Sequence, residues 1–412
     1  MKILLISNEL GYRGTPRFLT YCASIAKDAG HAVLVWGIDI GGTAADDCRR
    51  KNIDVIIGES ELRAILQFKP DIVHIHRGGG PSRRDSECLR ALKNACSCRV
   101  LETNVFGIAD FTPNLPVDLH SHISCWDLWR WRRWLWPFHQ AGIALPYCLD
   151  TDAFKPITSD FRQKHGIPPD AFLIGRLGKT DWNTLAVTLA RCMAARSNIR
   201  FASVDDYSAG ALSSLPKELR TRVVTVPRIN GPEALSAFYS ACDVTVNFSP
   251  IGESFGYGIA ESMSCGTPVI VLSKPRNDNA QIELAAPEYG GFPVNGPLSA
   301  AATILELESD RVRLSAAAAK CRSSIEQRYS KTVFTPKLLK AYDLLHLTTS
   351  RGRTLEKVFS DHGFITDFSE KEIMRQLSNV RGGSPCWFDT LKMLLAYSYP
   401  NALRNHLRSQ FL

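Results

Sequence analysis

The sequence contains no uninterrupted run of about 18 apolar residues, so it offers no segment with the length and hydropathy of a membrane-spanning helix. The opening run MKILLISNEL is too short for a secretory signal, and we expect it to form a first strand. The twelve cysteines are scattered and lie mostly in apolar contexts. We therefore expect reduced core thiols and a cytoplasmic location.

Two familiar signatures of ligand sites are also missing. Cys96 and Cys98 form a C-x-C pair, but no second Cys or His pair stands nearby at the spacing of a zinc site, so we expect no metal. The loop after the first strand contains Gly11 and Gly14 but does not follow the G-x-G-x-x-G pattern of dinucleotide-binding proteins.

The formal net charge of +8 is a moderate excess, from 49 Lys and Arg against 41 Asp and Glu. It favours anionic partners, such as phosphorylated ligands or an anionic membrane surface. No motif typical of nucleic-acid binding accompanies the charge, and we expect no nucleic-acid partner.

Strand and helix patterns alternate along most of the 412 residues, a length that suits two domains. The first half predicts strands at 2–7, 32–37, 53–57, 71–76 and 99–101. The second half predicts strands at 171–176, 199–204, 222–226, 243–248 and 268–272. Such alternation predicts two parallel, doubly wound α/β sheets. We place the domains at 1–150 and 151–335, followed by a helical segment at 336–412.

The most informative stretch is NFSPIGESFGYGIAESMSCGTPVIVL, residues 247–272. It predicts a strand end, a turn, a helix at about 257–265 and a further apolar strand. Glu253 and Glu261 frame the turn and the helix, and Gly256 and Gly258 allow close approach to the backbone. The helix start directs N–H groups and a positive dipole end towards that space. The arrangement suits a diphosphate beside sugar hydroxyls.

The same stretch resembles the group 1 glycosyltransferases, family 4 of the retaining GT-B enzymes. The pattern E-x-F-G-x-x-x-x-E-A-M-x-C-G-T-P-V-I is matched by Glu253, Phe255, Gly256, Glu261, Met263, Cys265, Gly266, Thr267, Pro268, Val269 and Ile270, and Ser262 alone departs from it. The resemblance implies two Rossmann-like domains facing a cleft. It also implies transfer of a sugar from a nucleotide diphosphate sugar to a glycan or lipid-linked acceptor, with retention of anomeric configuration.

The resemblance further implies roles for residues of the second domain. Glu261 would bind the ribose hydroxyls and Glu253 the donor sugar. Backbone N–H groups of the turn and helix start would contact sugar and phosphate, which involves Ser254, Phe255, Gly256, Tyr257 and Gly258. Arg176 and Lys179 would stabilise the leaving diphosphate without metal. Arg228 and Ile229 lie where the family holds the nucleobase.

In the first domain the family's glycine-rich loop faces donor phosphates and acceptor, which makes Gly11, Arg13 and Gly14 candidates. His76 ends the run PDIVHIH, which the family often shows, and either packs at the strand end or contacts the acceptor. Many relatives carry a His at the end of the next strand, where this chain has Thr103 and Asn104. Asn104 can hydrogen-bond a hydroxyl but cannot act as a general base at neutral pH, so the base stays unassigned.

Residues 120–138, HSHISCWDLWRWRRWLWPF, contain five of the eight tryptophans. On a helix these side chains point in several directions. Three interpretations are open: burial against the sheet, an aromatic acceptor pocket, or peripheral contact with a membrane through Trp126–Phe138.

The helix predicted at 331–347 would cross back to the first domain, and residues 350–412 add further helices with a basic end. Two other functions stay open. One is a GT-B nucleotide-sugar epimerase. The other is a non-catalytic sugar-nucleotide-binding protein, which the missing His suggests.

Overall fold

The structure, a computed structural model, describes residues 1–11, 14–80, 82–112, 114–176, 178, 180–204, 214–383 and 387–410, the last range with side chains from 390 to 404. The chain divides into two compact units. The first unit comprises residues 1–147, 334–370 and 392–412, and the second comprises 148–333 and 371–391. No helix in the described ranges has the length and apolar character needed to cross a membrane.

A seven-stranded parallel sheet forms the centre of the first unit. Its strands are β1 (Lys2–Glu9), β2 (Ala32–Ile40), β3 (Asp54–Ile57), β4 (Ile72–Arg77), β5 (Arg99–Asn104), β6 (Leu119–His122) and β7 (Gly142–Ala144). The strand order is β3-β2-β1-β4-β5-β6-β7. The chain therefore winds outwards from β1 and then returns to β4, which places a topological switch point between these two strands.

Apolar runs explain the central strands of this sheet, because helices cover both faces. Ile3, Leu4, Leu5 and Ile6 of β1 are all fully buried. The helices of the first 147 residues are α1 (Gly14–Asp28), α2 (Thr43–Arg50), α3 (Leu62–Phe68), α4 (Arg83–Ala95) and α5 (Cys125–Leu135). Helix α5 begins where the side chain of Ser124 accepts a hydrogen bond from the Asp127 N–H, at 3.1 Å.

The second unit contains a six-stranded parallel sheet. Its strands are β8 (Phe172–Arg176), β9 (Ile199–Val204), β10 (Val223–Val226), β11 (Val244–Asn247), β12 (Val269–Leu272) and β13 (Phe292–Val294). The order is β10-β9-β8-β11-β12-β13, so the switch point lies between β8 and β11. Ligands of open α/β sheets bind beyond the carboxyl ends of the strands at such a point.

Helices of the second unit follow the same alternation. They are α6 (Phe161–Lys164), α7 (Trp182–Ala195), α8 (Lys217–Arg220), α9 (Pro232–Ala241), α10 (Tyr257–Ser264), α11 (Gln281–Leu284), α12 (Pro297–Ser309) and α13 (Arg311–Tyr329). Asp181 caps α7 by accepting from the Thr184 N–H at 3.2 Å, and Pro232 occupies the first turn of α9.

Five more helices follow, α14 (Lys331–Leu347), α15 (Gly352–Asp361), α16 (Glu370–Ser378), α17 (Trp387–Ala396) and α18 (Tyr399–Gln410). From Phe334 onwards α14 belongs to the first unit, where its Tyr342 contacts His74. Residues 371–391 belong to the second unit, where Arg381 forms an ion pair with Glu306. The C-terminal residues are thus shared between the units, whereas the sequence predicts one extension at 336–412.

The predicted architecture of two doubly wound α/β domains with a helical C-terminus is confirmed. The units divide after Tyr147 and Val333, whereas the predicted domains end at 150 and 335. Sequence patterns missed strands β6 and β7. These strands have only four and three residues, and β6 reads LHSH, so neither presents an apolar run.

Candidate functional site

The carboxyl ends of β8 and β11 lie side by side at the switch point of the second unit. Val246 of β11 is in register with Arg176, the last residue of β8. Asn247 ends β11, and the turn that carries Glu253 follows it directly. The sheet topology therefore brings Arg176 and residues 248–256, which we call the acidic turn, to the same edge of the sheet.

The turn between β11 and α10 requires glycine at residue 252. Gly252 has a φ of 73°, and a Cβ there would lie 1.5 Å from the carbonyl oxygen of Asp278. The Ser249 hydroxyl donates to the Gly252 carbonyl at 2.7 Å and tightens the same turn. The loop after β12 thus packs directly against the acidic turn.

Glu253 is held by contacts to two neighbouring segments. Its Oε1 accepts a hydrogen bond from the Asn247 side-chain amide at 3.2 Å. Its backbone N–H donates to Oε1 of Gln281 at 2.9 Å, and its carbonyl accepts from the Ala280 N–H at 2.9 Å. The side chain is half-buried, so the carboxylate is positioned by the protein without being enclosed.

Glu261 lies on α10, as predicted, and is almost completely buried at 4% exposure. The hydroxyl of Tyr239, on α9, donates to its Oε2 at 3.1 Å. The helix begins at Gly256, which has a left-handed backbone with φ 90° and no side chain to cap the first turn. The start of α10 therefore presents its N–H groups and positive dipole end beside two carboxylates.

The side chains of Ser254 and Phe255, two other predicted donor-binding residues of this turn, both contact the protein itself. The Ser254 hydroxyl donates to a carboxylate oxygen of Asp278 at 2.5 Å. Phe255 is buried between the rings of Tyr257 and Tyr329, with centroids at 5.3 and 5.4 Å. Ser254 and Phe255 can therefore offer a ligand only their backbone.

The two glycines of the helix start also differ. Gly256 has a φ of 90°, which L side chains rarely adopt, so the backbone conformation alone already requires glycine there. A Cβ at Gly258 would meet nothing closer than the Tyr239 hydroxyl, at 3.6 Å. Local packing therefore does not explain glycine at 258.

Arg176 is 2% exposed, and the protein itself occupies much of its guanidinium. Nε donates to Ser203 Oγ at 3.1 Å, Nη1 to the Gly178 carbonyl at 2.5 Å and Nη2 to the Val204 carbonyl at 2.8 Å. The group also lies over the ring of Trp182, 4.7 Å from the ring centroid. These contacts fix Arg176 at the strand end, and its diphosphate role stays a prediction.

Three further predictions of the second unit are placed less firmly. Lys179 lies outside the described residues. Arg228 is exposed and Ile229 is partly exposed, and both lie in the loop between β10 and α9. Their nucleobase-binding role stays a prediction.

Sequence reasoning missed four residues that hold the acidic turn or Glu261 in place: Tyr239, Asn247, Asp278 and Gln281. The signal for Asp278 and Gln281 is the polar run NDNAQ that follows β12. Asn279 within that run is fully buried, and its side chain accepts a hydrogen bond from the Lys274 N–H at 2.7 Å. A buried polar run after a strand indicates that the loop supports something rigid.

In the first unit, Gly11 follows the end of β1 and Gly14 is the first residue of α1, next to the switch point. A Cβ at Gly11 would meet no atom within 4 Å, so the backbone there is open to an approaching group. Arg13 lies outside the described residues. The donor and acceptor roles of this loop stay predictions.

His76 and Asn104, the predicted acceptor-side residues, are both buried, at 2% and 0% exposure. Burial lowers the pKa of His76 well below its usual value. The Asn104 amide donates to the Ile108 carbonyl at 2.8 Å and accepts from the Ile108 N–H at 3.1 Å. Asn104 therefore closes a local turn, and His76 faces the core.

A buried charge network that the sequence did not predict spans the ends of three strands. The Glu102 carboxylate accepts hydrogen bonds from Arg77 on β4 and His120 on β6. Burial would raise the pKa of Glu102, but the charges of Arg77 and His120 outweigh burial and hold it well below its usual value. Strand pairing explains the contact, since Glu102 and His120 are in register.

The tryptophan-rich segment is mostly core. Trp126, Trp129 and Trp131 of α5 are 0%, 3% and 0% exposed. These three side chains therefore cannot form the membrane contact predicted for Trp126–Phe138. Trp136 and Phe138, just after α5, are 73% and 57% exposed.

Comparison with known proteins adds a family and a fold. Residues 168–310 match the family model described as Glycosyl transferases group 1. The comparison with curated proteins gave no match. The matched segment contains β8, the acidic turn, α10 and Gln281.

Solved structures resemble the chain over most of its length. HepE from Anabaena in complex with UDP-glucose is 17% identical, with a TM-score of 0.62, over 83% of this chain and 99% of that one. A glycosyltransferase from Rickettsia africae is 15% identical, with a TM-score of 0.68, over 85% and 99%. Sucrose-phosphate synthase from Thermosynechococcus elongatus is 18% identical, with a TM-score of 0.63, over 84% and 98%.

These likenesses establish the two-domain GT-B fold, and the family match lies on the unit that carries the acidic turn. Residues 168–310 therefore match the glycosyl transferases group 1 family, within a chain that has the GT-B fold.

Proposed function

We propose that this chain is a retaining glycosyltransferase that moves a sugar from a nucleotide diphosphate sugar to an acceptor hydroxyl, in the synthesis of a cell-surface glycan or glycolipid. One observation supports this most strongly. Glu253 and Glu261 flank the N-terminus of α10 at a switch-point edge, within the segment that matches the group 1 family.

Each group has a chemical role in this proposal. Glu261, oriented by Tyr239, accepts hydrogen bonds from the ribose hydroxyls. Glu253, oriented by Asn247, accepts hydrogen bonds from the donor sugar. The N–H groups and dipole at the start of α10 stabilise the diphosphate as it takes up negative charge. Arg176 adds positive charge at the same edge, which supports catalysis without a metal.

The donor is proposed to be a nucleotide-activated hexose. HepE, one of the similar structures, was crystallised with UDP-glucose, which supports this class of donor. At the end of β5, where many relatives carry a His, this chain has Thr103 and Asn104, and neither can act as a general base. We therefore propose that an oxygen of the donor diphosphate removes the proton of the acceptor hydroxyl, on the face of the sugar from which the diphosphate departs. That geometry retains the anomeric configuration.

We further propose peripheral contact with the cytoplasmic face of a membrane that carries a lipid-linked acceptor. Trp136 and Phe138 are exposed, and so is Leu395 of α17, at 56%. The Trp134 indole N–H donates to the Ala396 carbonyl at 3.2 Å, which fixes α17 beside α5. We call Trp136, Phe138 and Leu395 the exposed apolar edge. Exposed Lys392 and Arg404 nearby in sequence favour an anionic surface.

A binding screen followed by a transfer assay tests the enzyme proposal. Thermal shift against UDP, GDP, ADP and their sugars should identify one donor, since a ligand at 100 times its dissociation constant adds about 2.7 kcal/mol. Transfer of radiolabelled sugar to a lipid extract should then follow. Glu253→Gln and Glu261→Gln should each lower the rate at least 10-fold. Glu326→Gln, which removes an exposed acid on α13, is the control. Full transfer by both site variants would contradict the proposal.

A further inference from the structure

A cluster of one cysteine and two histidines lies in the core of the first unit, and the proposed sugar transfer does not use it. Cys22 on α1 and His74 and His76 on β4 each offer one ligand atom, and these atoms lie within 4.8 Å of one another. All three side chains are at least 98% buried. We infer that this cluster binds a divalent transition metal ion of the zinc class.

His76 is the residue whose environment most needs a ligand. Neither of its ring nitrogens has a hydrogen-bond partner among the described residues. Its ring instead packs against His74, at 4.1 Å between centroids, and against Phe18, at 5.6 Å. Burying a polar group without a partner is destabilising. Coordination by one nitrogen would offset that cost.

His74 already has the surroundings of a metal-binding histidine. Its Nδ1 lies 2.8 Å from the Tyr342 hydroxyl, and its Nε2 lies 2.8 Å from Thr103 Oγ1. Metal-binding histidines usually hydrogen-bond through the nitrogen that does not bind the metal, which fixes the ring orientation. Whichever nitrogen of His74 takes the ion, the other keeps a hydroxyl partner.

The donor set selects the class of ion. One thiolate and two imidazoles favour Zn²⁺ or Co²⁺ over Mg²⁺ and Ca²⁺, which prefer oxygen ligands. Bonds of about 2.0 Å to nitrogen and about 2.3 Å to sulfur require the ligand atoms to move closer together by about 1 Å, within the range of small side-chain rotations. Binding releases the Cys22 thiol proton to water. The fourth position is left for a water molecule.

Such an ion would connect elements that are distant in sequence. It would join α1 directly to β4. We therefore assign the site a stabilising role in the first unit. This role does not depend on the proposed glycosyl transfer.

The test uses the full chain, purified without chelator. Elemental analysis should find about one zinc ion per chain, and replacement by Co²⁺ should give the sulfur-to-cobalt charge-transfer band of a thiolate ligand. Cys22→Ser should abolish that band. Thr103→Val and Tyr342→Phe each remove one hydroxyl partner of His74, and the variant that removes the partner of the nitrogen not bound to the ion should weaken metal affinity by about 10-fold to 100-fold. Cys48→Ser, at another buried cysteine of the first unit, should leave both readings unchanged.

Three results would overturn the inference. The first is a metal-free wild-type chain that takes up no Co²⁺, which would mean that water or packing alone fills the cluster. The second is a charge-transfer band that persists in Cys22→Ser. The third is a loss of bound metal and of the charge-transfer band in Cys48→Ser that equals the loss in Cys22→Ser. If Cys22→Ser does not fold, His76→Cys decides, since it should keep the ion and strengthen the sulfur band.

Discussion

The Tyr239 hydroxyl donates a hydrogen bond to Oε2 of Glu261, which links helix α9 to helix α10 at 3.1 Å. Glu261 is 4% exposed, so its carboxylate depends on protein donors rather than water for its orientation. A tyrosine 22 residues upstream thus positions the acid that we propose for the ribose. A sequence motif confined to residues 247–272 does not contain this information.

Tyr239→Phe removes that donor and keeps the ring. A hydrogen bond to a charged group contributes about 1.5–3 kcal/mol, so we expect the dissociation constant of the donor nucleotide to rise at least 10-fold. The maximal rate should change less than KM, because the ribose is remote from the reacting carbon. Isothermal titration and steady-state kinetics measure the two effects. Tyr289→Phe, at another tyrosine of the second unit, is the control, and equal weakening by both variants would contradict the assignment.

Gly258→Ala separates the packing of the helix start from ligand approach. The added Cβ has ordinary contacts, and Ala is favoured over Gly within a helix by about 0.5–1 kcal/mol, so the melting temperature should stay level or rise. Donor binding should nevertheless weaken if phosphate or sugar approaches this backbone. Unchanged donor affinity would remove Gly258 from the proposed site.

Gly252→Ala gives the opposite expectation. Its Cβ would lie 1.5 Å from a carbonyl oxygen, at a φ that Ala rarely adopts, so the turn must move. We expect a loss of several kcal/mol in the free energy of unfolding, measured by chemical denaturation. If Gly252→Ala were as stable as Gly258→Ala, the loop at Asp278 could move aside at little cost, and this prediction would be wrong.

The Glu102 network predicts a specific dependence of stability on pH. The pKa of Glu102 is lower in the folded chain than its usual value of 4.5. Its stabilising contribution is therefore complete above about pH 4.5 and is lost as the pH falls below that value towards the folded-state pKa. The groups that act on it are Arg77, His120 and, more weakly, the Asp85 carboxylate on α4.

Glu102→Gln tests this dependence. At pH 7 the variant leaves Arg77 without its carboxylate in the core, which should cost about 3–5 kcal/mol. The difference from wild type should narrow as the pH falls below about 4.5, because Glu102 takes up a proton in the unfolded wild-type chain there while the folded carboxylate stays charged. Denaturant titrations at several pH values measure the change. Glu87→Gln, which breaks the exposed pair with Arg83, should change stability by less than about 1 kcal/mol. A pH-independent gap for Glu102→Gln would refute the interpretation.

The fold was predictable because apolar runs and helix stops are local. Ile3–Ile6 and Val269–Leu272 are buried as expected, and the strand at 199–204 has its predicted bounds. The acidic pair was predictable because its spacing fits one turn and one helix. The residues that hydrogen-bond to Glu253 and Glu261 were not predictable, because Tyr239 and Gln281 reach them only through tertiary packing.

The burial of the tryptophan side chains of α5 could not be predicted from the local sequence either. Helical periodicity showed that its tryptophans point several ways, but only the surrounding elements decide whether each direction meets protein or water. Trp131 packs near His120 and His122 of β6, a strand too short to predict. The same limit applies to Glu102 and His120, whose contact follows from the pairing of β5 with β6.

The exposed apolar edge yields a last prediction. Trp136 and Phe138 project from the end of α5, and Phe138 packs against Tyr399 of α18 at 5.5 Å between ring centroids. Tryptophan and phenylalanine side chains insert into the headgroup layer, and the basic residues nearby favour anionic lipid. We expect Trp136→Ser combined with Phe138→Ser to reduce binding to phosphatidylglycerol-containing vesicles at least 10-fold in a sedimentation assay.

The matched control is Val312→Ser, which removes an apolar side chain that is 82% exposed on α13 of the second unit. It should leave vesicle binding unchanged, because no aromatic residue adjoins it in sequence and the flanking Arg311 and Arg313 form ion pairs with Asp243 and Glu306. Binding of the wild type should fall as salt is raised, since the electrostatic part is screened within about 10 Å at 0.1 M salt. Equal binding to neutral vesicles, or equal loss in both variants, would remove the membrane from the proposed function and leave the glycosyl transfer to be tested with a free acceptor.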